Sequence, residues 1–149
     1  LGDEPVQVFA TGAALVDPAI GDAGDVDTAA VVLTTASGKI CQISNSRRAT
    51  YGYDQRVEVH GSKGMLRAAN ILENTVEYAG EAGFTKAPAQ HFFLERYEAA
   101  YAREVAHFID CVEAGKAPSP SIHDGLRAQM LADAASESLR IGAPVALEV

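Results

Sequence analysis

The sequence predicts an α+β fold: an open, largely antiparallel sheet with two main helices packed on one face. Three observations carry this. The chain up to residue 91 reads mostly as short strands, with apolar residues alternating at period two over residues 6–11 and 55–60. Beyond residue 91 the period switches to 3.6 and holds over two long stretches. A short apolar run then closes the chain, so the order is strands, two helices, strand, and not a βαβ alternation.

Residues 6–11 alternate, with Val6, Val8 and Ala10 on one face and Gln7, Phe9 and Thr11 on the other. Residues 12–27 carry three glycines, one proline and four aspartates, and read as a loop long enough to be functional or mobile. Residues 26–35 form a β-branched run, the pattern of a well-covered strand. Ser37-Gly38 makes a tight turn, and residues 39–47 return as its hairpin partner. Residues 55–60 alternate again, with Val57 and Val59 opposite Arg56, Glu58 and His60. Gly61-Ser62-Lys63-Gly64 is a second turn. Residues 65–69 pair back, residues 75–78 form another short strand, and residues 79–91 read as a loop.

The first helix presents Tyr97, Tyr101, Val105, Phe108, Ile109 and Val112 on one face. Gly115 ends it, and Pro118 and Pro120 prevent its continuation. Ser121 and Asp124 form a capping box for the second helix. Its expected buried face is Leu126, Met130, Leu131, Ala134 and Leu139, and Gly142 ends it. Residues 144–149 are the last strand. Most strands keep a mixed second face that two helices cannot cover, and a matching sheet from a second subunit is its simplest partner.

The chain has 149 residues, 48% of them apolar and 21% charged, and reads as one globular domain over residues 1–149. The net charge of −8 disfavours nucleic acid and anionic membranes as partners. No stretch reaches the roughly 18 apolar residues that a membrane span needs. Cys41 and Cys111 read as free thiols in a reducing cytoplasm. Leu1-Gly2-Asp3-Glu4-Pro5 reads as the end of a helix at Gly2 and a break at Pro5, so the chain reads as a fragment that begins just after a helix.

No G-x-G-x-x-G opens a helix, so the sequence encodes no dinucleotide cradle. The Gly61-Ser62-Lys63-Gly64 turn joins two strands and lacks P-loop spacing. His60, His91, His107 and His123 have no metal-ligand spacing, and no G-x-S-x-G elbow is present. The stretch that stands apart is Asn45-Ser46-Arg47-Arg48-Ala49-Thr50-Tyr51-Gly52-Tyr53-Asp54-Gln55-Arg56. It gathers phenols, guanidiniums and hydroxyls at a strand end, a set that suits a polyhydroxylated ligand. A polar hairpin loop with its tyrosines packed on the sheet edge is the alternative.

From Ser46 onward, that stretch, continued through Gly61-Ser62-Lys63-Gly64-Met65, resembles the corresponding part of the glucose–fructose oxidoreductase / inositol dehydrogenase / rhizopine-catabolism family, in its bacterial myo-inositol 2-dehydrogenase branch. Phe92-Phe93-Leu94-Glu95-Arg96-Tyr97 with Ala100-Tyr101 resembles the family's first C-terminal helix. The acidic loop from Val16-Asp17-Pro18-Ala19-Ile20-Gly21 through Asp25-Val26-Asp27-Thr28-Ala29 fits the same branch. The resemblance covers essentially the whole chain.

It implies the C-terminal, dihydrodipicolinate-reductase-like half of an NAD-dependent inositol 2-dehydrogenase, preceded in the intact enzyme by an NAD-binding Rossmann domain. The implied reaction takes myo-inositol to 2-keto-myo-inositol (scyllo-inosose). The family's catalytic Lys of an E-K-P motif and Asp and His of a D-x-x-x-H motif have no counterpart here. The fragment alone is therefore expected to hold no catalytic residue, to bind no metal or cofactor and to be inactive. By resemblance, Tyr51 is the substrate-binding tyrosine, with Tyr53 as the alternative or a packing residue. Tyr97 is expected to approach the nicotinamide, with core packing as its alternative role. The implied assembly is a homodimer or homotetramer through the open sheet face. Two other readings stand beside this one: a family oxidoreductase for another cyclic polyol or sugar, and a non-catalytic, self-associating scaffold.

Overall fold

Alternation in the first strand buries Val8 and Ala10, and the pairing register extends that choice across four strands. The computed structural model describes residues 2–147. Its elements are β1 (Pro5–Ala13), α1 (Pro18–Asp22), β2 (Thr28–Thr35), β3 (Ile40–Ser46), β4 (Val57–Gly61), β5 (Gly64–Ala68), β6 (Glu77–Gly80), β7 (Gly83–Lys86), α2 (Phe93–Glu113), α3 (Ile122–Ile141) and β8 (Val145–Ala146). They form two units, one of residues up to 48 and from 119 onward, the other of residues 49–118.

The first unit is an antiparallel sheet of order β3-β2-β1-β8 covered by α3. Cys41 faces Leu33, Leu33 faces Val8, and Val8 faces Val145, so one row crosses all four strands. Ala134 and Leu131 of α3 pack on this row. Burying it removes apolar surface from water at about 25 cal/mol per Å². The opposite face is mixed, as alternation requires. It carries Phe9, 39% exposed, and Ile40, 69% exposed.

Ser138 completes the sheet edge. The β1–β8 register stops at Val8 and Val145, and continuing it would bring Ala10 opposite Ala143. Pro144 intervenes, and proline has no N–H to extend a ladder. The Ser138 hydroxyl bridges the gap: its Oγ accepts the Ala10 N–H at 2.9 Å and donates to the Ala143 carbonyl at 2.8 Å. The residue is fully buried.

The capping box is present, with the Ser121 N–H donating to the Asp124 carboxylate at 2.6 Å, and Gly142 ends α3 in the left-handed region. The buried face of α3 differs from expectation. Leu126 and Met130 are exposed, at 58% and 37%, while Ala134 and Ser138 are buried. Small residues are needed where the helix approaches β1. The final strand is short, and residues 148–149 of the expected strand lie outside the described residues, as does Leu1 of the expected helix end.

Two expected loops contain structure. Within residues 12–27, Asp17 caps α1 by accepting the Ala19 N–H at 3.0 Å, with Pro18 following it. Asp27 anchors this segment: its carboxylate accepts the N–H groups of Leu15, Val16 and Asp17, each at 2.8 Å, and the Thr28 hydroxyl at 3.0 Å. Within residues 79–91, β7 pairs with β6 across a turn in which Gly83 takes φ +100°.

The second unit holds the hairpins β4–β5 and β6–β7 and the helix α2. The Gly61–Gly64 turn joins β4 to β5 as a β-turn should. The apolar stripe of α2 exists, but it is open: Val105, Phe108, Ile109 and Val112 are at least half exposed, and Cys111 is the buried residue. A 3.6 period identifies an apolar face and does not say what covers it. Cys41 and Cys111 are both free thiols. Among the described residues no helix is long and apolar enough to cross a membrane.

Ser138→Ala leaves the buried Ala10 N–H without an acceptor and is expected to cost about 1–3 kcal/mol in urea-induced unfolding. For Asp27, burial pulls the carboxyl upward, but the donors on Asp17, Leu15, Val16 and Thr28 outweigh it and lower the pKa from 3.8 to about 2. A carboxylate depressed in the folded state stabilises above its unfolded pKa and loses that contribution as pH falls through the folded value. Stability is expected to drop between pH 3.8 and about 2, and Asp27→Asn should flatten that part of an acid-unfolding curve.

Candidate functional site

Gly52 sets the geometry of the Tyr-Gly-Tyr-Asp segment. Its φ is +120°, and a Cβ there would lie 2.6 Å from the Ala89 carbonyl oxygen. Glycine alone combines this backbone conformation with this close approach. The next residue is then stitched down: the Tyr53 N–H donates to the Gln90 carbonyl at 2.7 Å, and the Gln90 N–H donates to the Ile71 carbonyl at 3.0 Å. Leu72 and Ala89 form a bridge alongside.

This crossing sends the two tyrosines to different environments. The Tyr53 ring is half-buried and meets Tyr97 edge-on, with centroids 5.7 Å apart, and Tyr97 meets Tyr101 in the same way at 6.0 Å. The Arg96 guanidinium lies 5.6 Å from the Tyr97 ring centre. Tyr51 is 55% exposed, and its hydroxyl donates to Asp54 Oδ2 at 2.5 Å.

Asp54 is the hub of the site. Arg56 donates to it twice, from Nε and Nη2, both at 2.7 Å. Asn70 Nδ2 donates to Oδ1 at 2.8 Å, while Asn70 Oδ1 accepts the Gln55 N–H at 2.8 Å. Hydrogen bonds from Arg56, Tyr51 and Asn70 hold the Asp54 carboxyl well below the usual carboxylate range, against the opposing effect of burial. The same bond to Asp54 raises the Tyr51 phenol above its ordinary value. A carboxylate this acidic, with both oxygens engaged, is a poor proton acceptor. Asp54 organises the site and does not serve it as a general base.

The sequence singles out Tyr51, Tyr53 and Tyr97. The structure brings Tyr53 and Tyr97 into ring contact and places Tyr51 on the Asp54 cluster. Asp54 and Arg56 sit in the stretch the sequence marks, but their pairing is not legible there. Asn70 carries no local signal, because it reaches the cluster from beyond the β4–β5 hairpin. Arg47 and Arg48 belong to the first unit, where the Arg47 N–H donates to the Asp27 carbonyl at 2.9 Å. Gln90 Oε1 and Arg96 Nε are buried without a hydrogen-bond partner.

Comparison with known proteins identifies the family. The profile of the oxidoreductase family, C-terminal alpha/beta domain, matches residues 1–147. The chain belongs to this family. It is 56% identical over 139 residues to the inositol 2-dehydrogenase of Rhizobium meliloti (strain 1021), covering 93% of this chain and 42% of that protein. The crystal structure of a myo-inositol dehydrogenase from Corynebacterium glutamicum ATCC 13032 superposes with a TM-score of 0.92 at 41% identity, over 98% of this chain and 44% of that one. The myo-inositol dehydrogenase from Lactobacillus casei, solved in complex with NAD(H) and myo-inositol, superposes at 0.81 with 28% identity, over 100% of this chain and 43% of that one. The chain thus spans less than half the length of these relatives and corresponds to their C-terminal domain.

Gly52→Ala is expected to destabilise the chain by about 1–3 kcal/mol from backbone strain alone, and by more once the Ala89 carbonyl is displaced. Urea titration of the variant against the unaltered chain measures it.

Proposed function

We propose that the intact protein carrying this chain is an NAD-dependent inositol 2-dehydrogenase that oxidises myo-inositol to 2-keto-myo-inositol, and that this chain supplies part of the inositol-binding wall. The observation that carries the reading is the exposed Tyr51 phenol held on the Asp54–Arg56–Asn70 cluster. It lies in the stretch 46–65, whose residues resemble the corresponding part of inositol dehydrogenases. A fixed phenol backed by a charged network recognises a ligand hydroxyl through orientation, which suits a ring bearing a hydroxyl on every carbon.

The chain's own residues do not fit a whole dinucleotide. Its glycine turn at 61–64 joins β4 to β5 and opens no helix that could face phosphates. NAD, held by a Rossmann domain elsewhere in the intact protein, would take up the hydride. By the family resemblance the proton from the reacting hydroxyl would pass to a base outside this chain; Asp54, already engaged by four donors, does not serve. Tyr97 is the residue placed toward the nicotinamide in this reading. Its ring already contacts Tyr53 and Tyr101, so it would act as a packed, rigid wall. The mixed sheet face with Phe9 and Ile40 is the surface for homodimer or homotetramer assembly. The working compartment in this reading is the cytoplasm, and the role is inositol catabolism.

The test is NAD reduction by the intact protein over a panel of cyclic polyols. Myo-inositol should support the highest kcat/KM. Tyr51→Phe should lower kcat/KM for myo-inositol roughly 2- to 12-fold, the equivalent of one net hydrogen bond. Unchanged constants in that variant would remove Tyr51 from the substrate wall.

A further inference from the structure

We propose that Asp54 is a positioning residue that fixes the polarity of Tyr51, so that the phenol oxygen meets a polyol hydroxyl only as a hydrogen-bond acceptor. This rests on the reading above that Tyr51 faces the polyol, and adds to it the direction of the bond.

A free phenol can donate its proton or accept through its oxygen, so a tyrosine alone does not specify which group it recognises. Here the proton is committed. The Tyr51 hydroxyl lies 2.5 Å from Asp54 Oδ2, the short distance of a bond to an ionised acceptor. Such a bond is roughly twice as strong as one between neutral groups. A sugar-like hydroxyl competing for the same proton therefore loses to the carboxylate.

Asp54 cannot turn away to release the proton. Arg56 grips both carboxylate oxygens, and Asn70 holds Oδ1 while its own carbonyl is tied to the Gln55 backbone. The Asp54 side chain is 19% exposed, so water competes weakly for it. What Tyr51 retains is the acceptor side of its oxygen, on a residue that is 55% exposed. Donation to the carboxylate also polarises the phenol and strengthens it as an acceptor. The cluster thus reads a ligand group that can donate, and it discriminates against one that can only accept.

The experiment uses the intact dehydrogenase with NAD and three kinds of inositol analogue, each altered at one ring position: deoxy, fluoro and amino. Fluorine cannot donate, and a protonated amine can only donate. At the position Tyr51 reads, the fluoro analogue should lose as much kcat/KM as the deoxy analogue, within about twofold, while the amino analogue retains turnover. Tyr51→Phe should erase the preference for amino over fluoro. Asp54→Asn, which leaves Asn70 and the backbone ties in place, should shrink it and raise KM with kcat within about twofold. Tyr51→Phe keeps the Asp54–Arg56 pair and guards against misfolding in the Asp54 variant. A purely structural Asp54 would change stability without reordering the analogues, and that result would overturn the proposal. A fluoro analogue turned over as well as myo-inositol, with the amino analogue rejected at that position, would overturn it too. If the unaltered enzyme reduces no NAD with any inositol, the functional reading itself falls, whereas unaltered analogue ranking in an active enzyme defeats this inference alone.

Discussion

Val8 has no exposed surface, and the packing of the first unit follows from that. A fully buried β-branched residue in the middle of β1 requires apolar partners on both sides. Leu33, Cys41 and Val145 supply them in one cross-strand row. The row must be covered by a helix that comes close, so α3 presents Ala134 there and places Ser138 over the neighbouring strand edge. Ser138, brought over β1 by the same closeness, then resolves a problem that the sheet edge creates. Pro144 ends the β8 ladder early, and one hydroxyl serves both the stranded N–H of Ala10 and the carbonyl of Ala143. The close approach of α3 serves both the core row and the interrupted strand edge.

The second unit is organised by charge and backbone conformation. Its hairpins expose most of their large side chains, with Leu66 at 76% and Phe84 at 75%. Order in the 51–54 segment comes instead from Gly52 crossing close to Ala89, from the Tyr53 backbone bond to Gln90, and from a carboxylate with four donors in hydrogen-bond reach. Directional polar contacts fix individual atoms in a way that apolar packing does not. The Tyr51 phenol is held in this way, and the open apolar stripe of α2 shows how little of the unit is held by a hydrophobic core of its own.

Much of the site was visible as composition and little of it as connection. The stretch 45–56 stands out because phenols, guanidiniums and hydroxyls crowd one strand end. Its resemblance to inositol dehydrogenases points to Tyr51, but neither says where the Tyr51 proton goes. That depends on Asp54 being pinned by Arg56 two residues on and by Asn70 sixteen residues on. The first contact is local yet ambiguous, since any exposed Asp and Arg could point apart. The second exists only because the β4–β5 hairpin brings the chain back.

The sequence by itself determined the alternation that makes β1 one-sided, the capping box at Ser121, the stop at Gly142 and the turn at 61–64. These are set by short-range sterics and hydrogen bonding within a few residues. It also held the Asp17-Pro18 signal for α1 and the paired glycines around the β6–β7 turn, which loop-like composition obscured. Tertiary structure alone decided that Ser138 rather than Leu126 or Met130 is buried, because distance from β1 varies along the helix while periodicity does not. It decided likewise that Tyr51 stands on a charged cluster while Tyr53 packs against Tyr97, since a positive φ at Gly52 turns the chain between them and a carbonyl from a distant segment holds the turn.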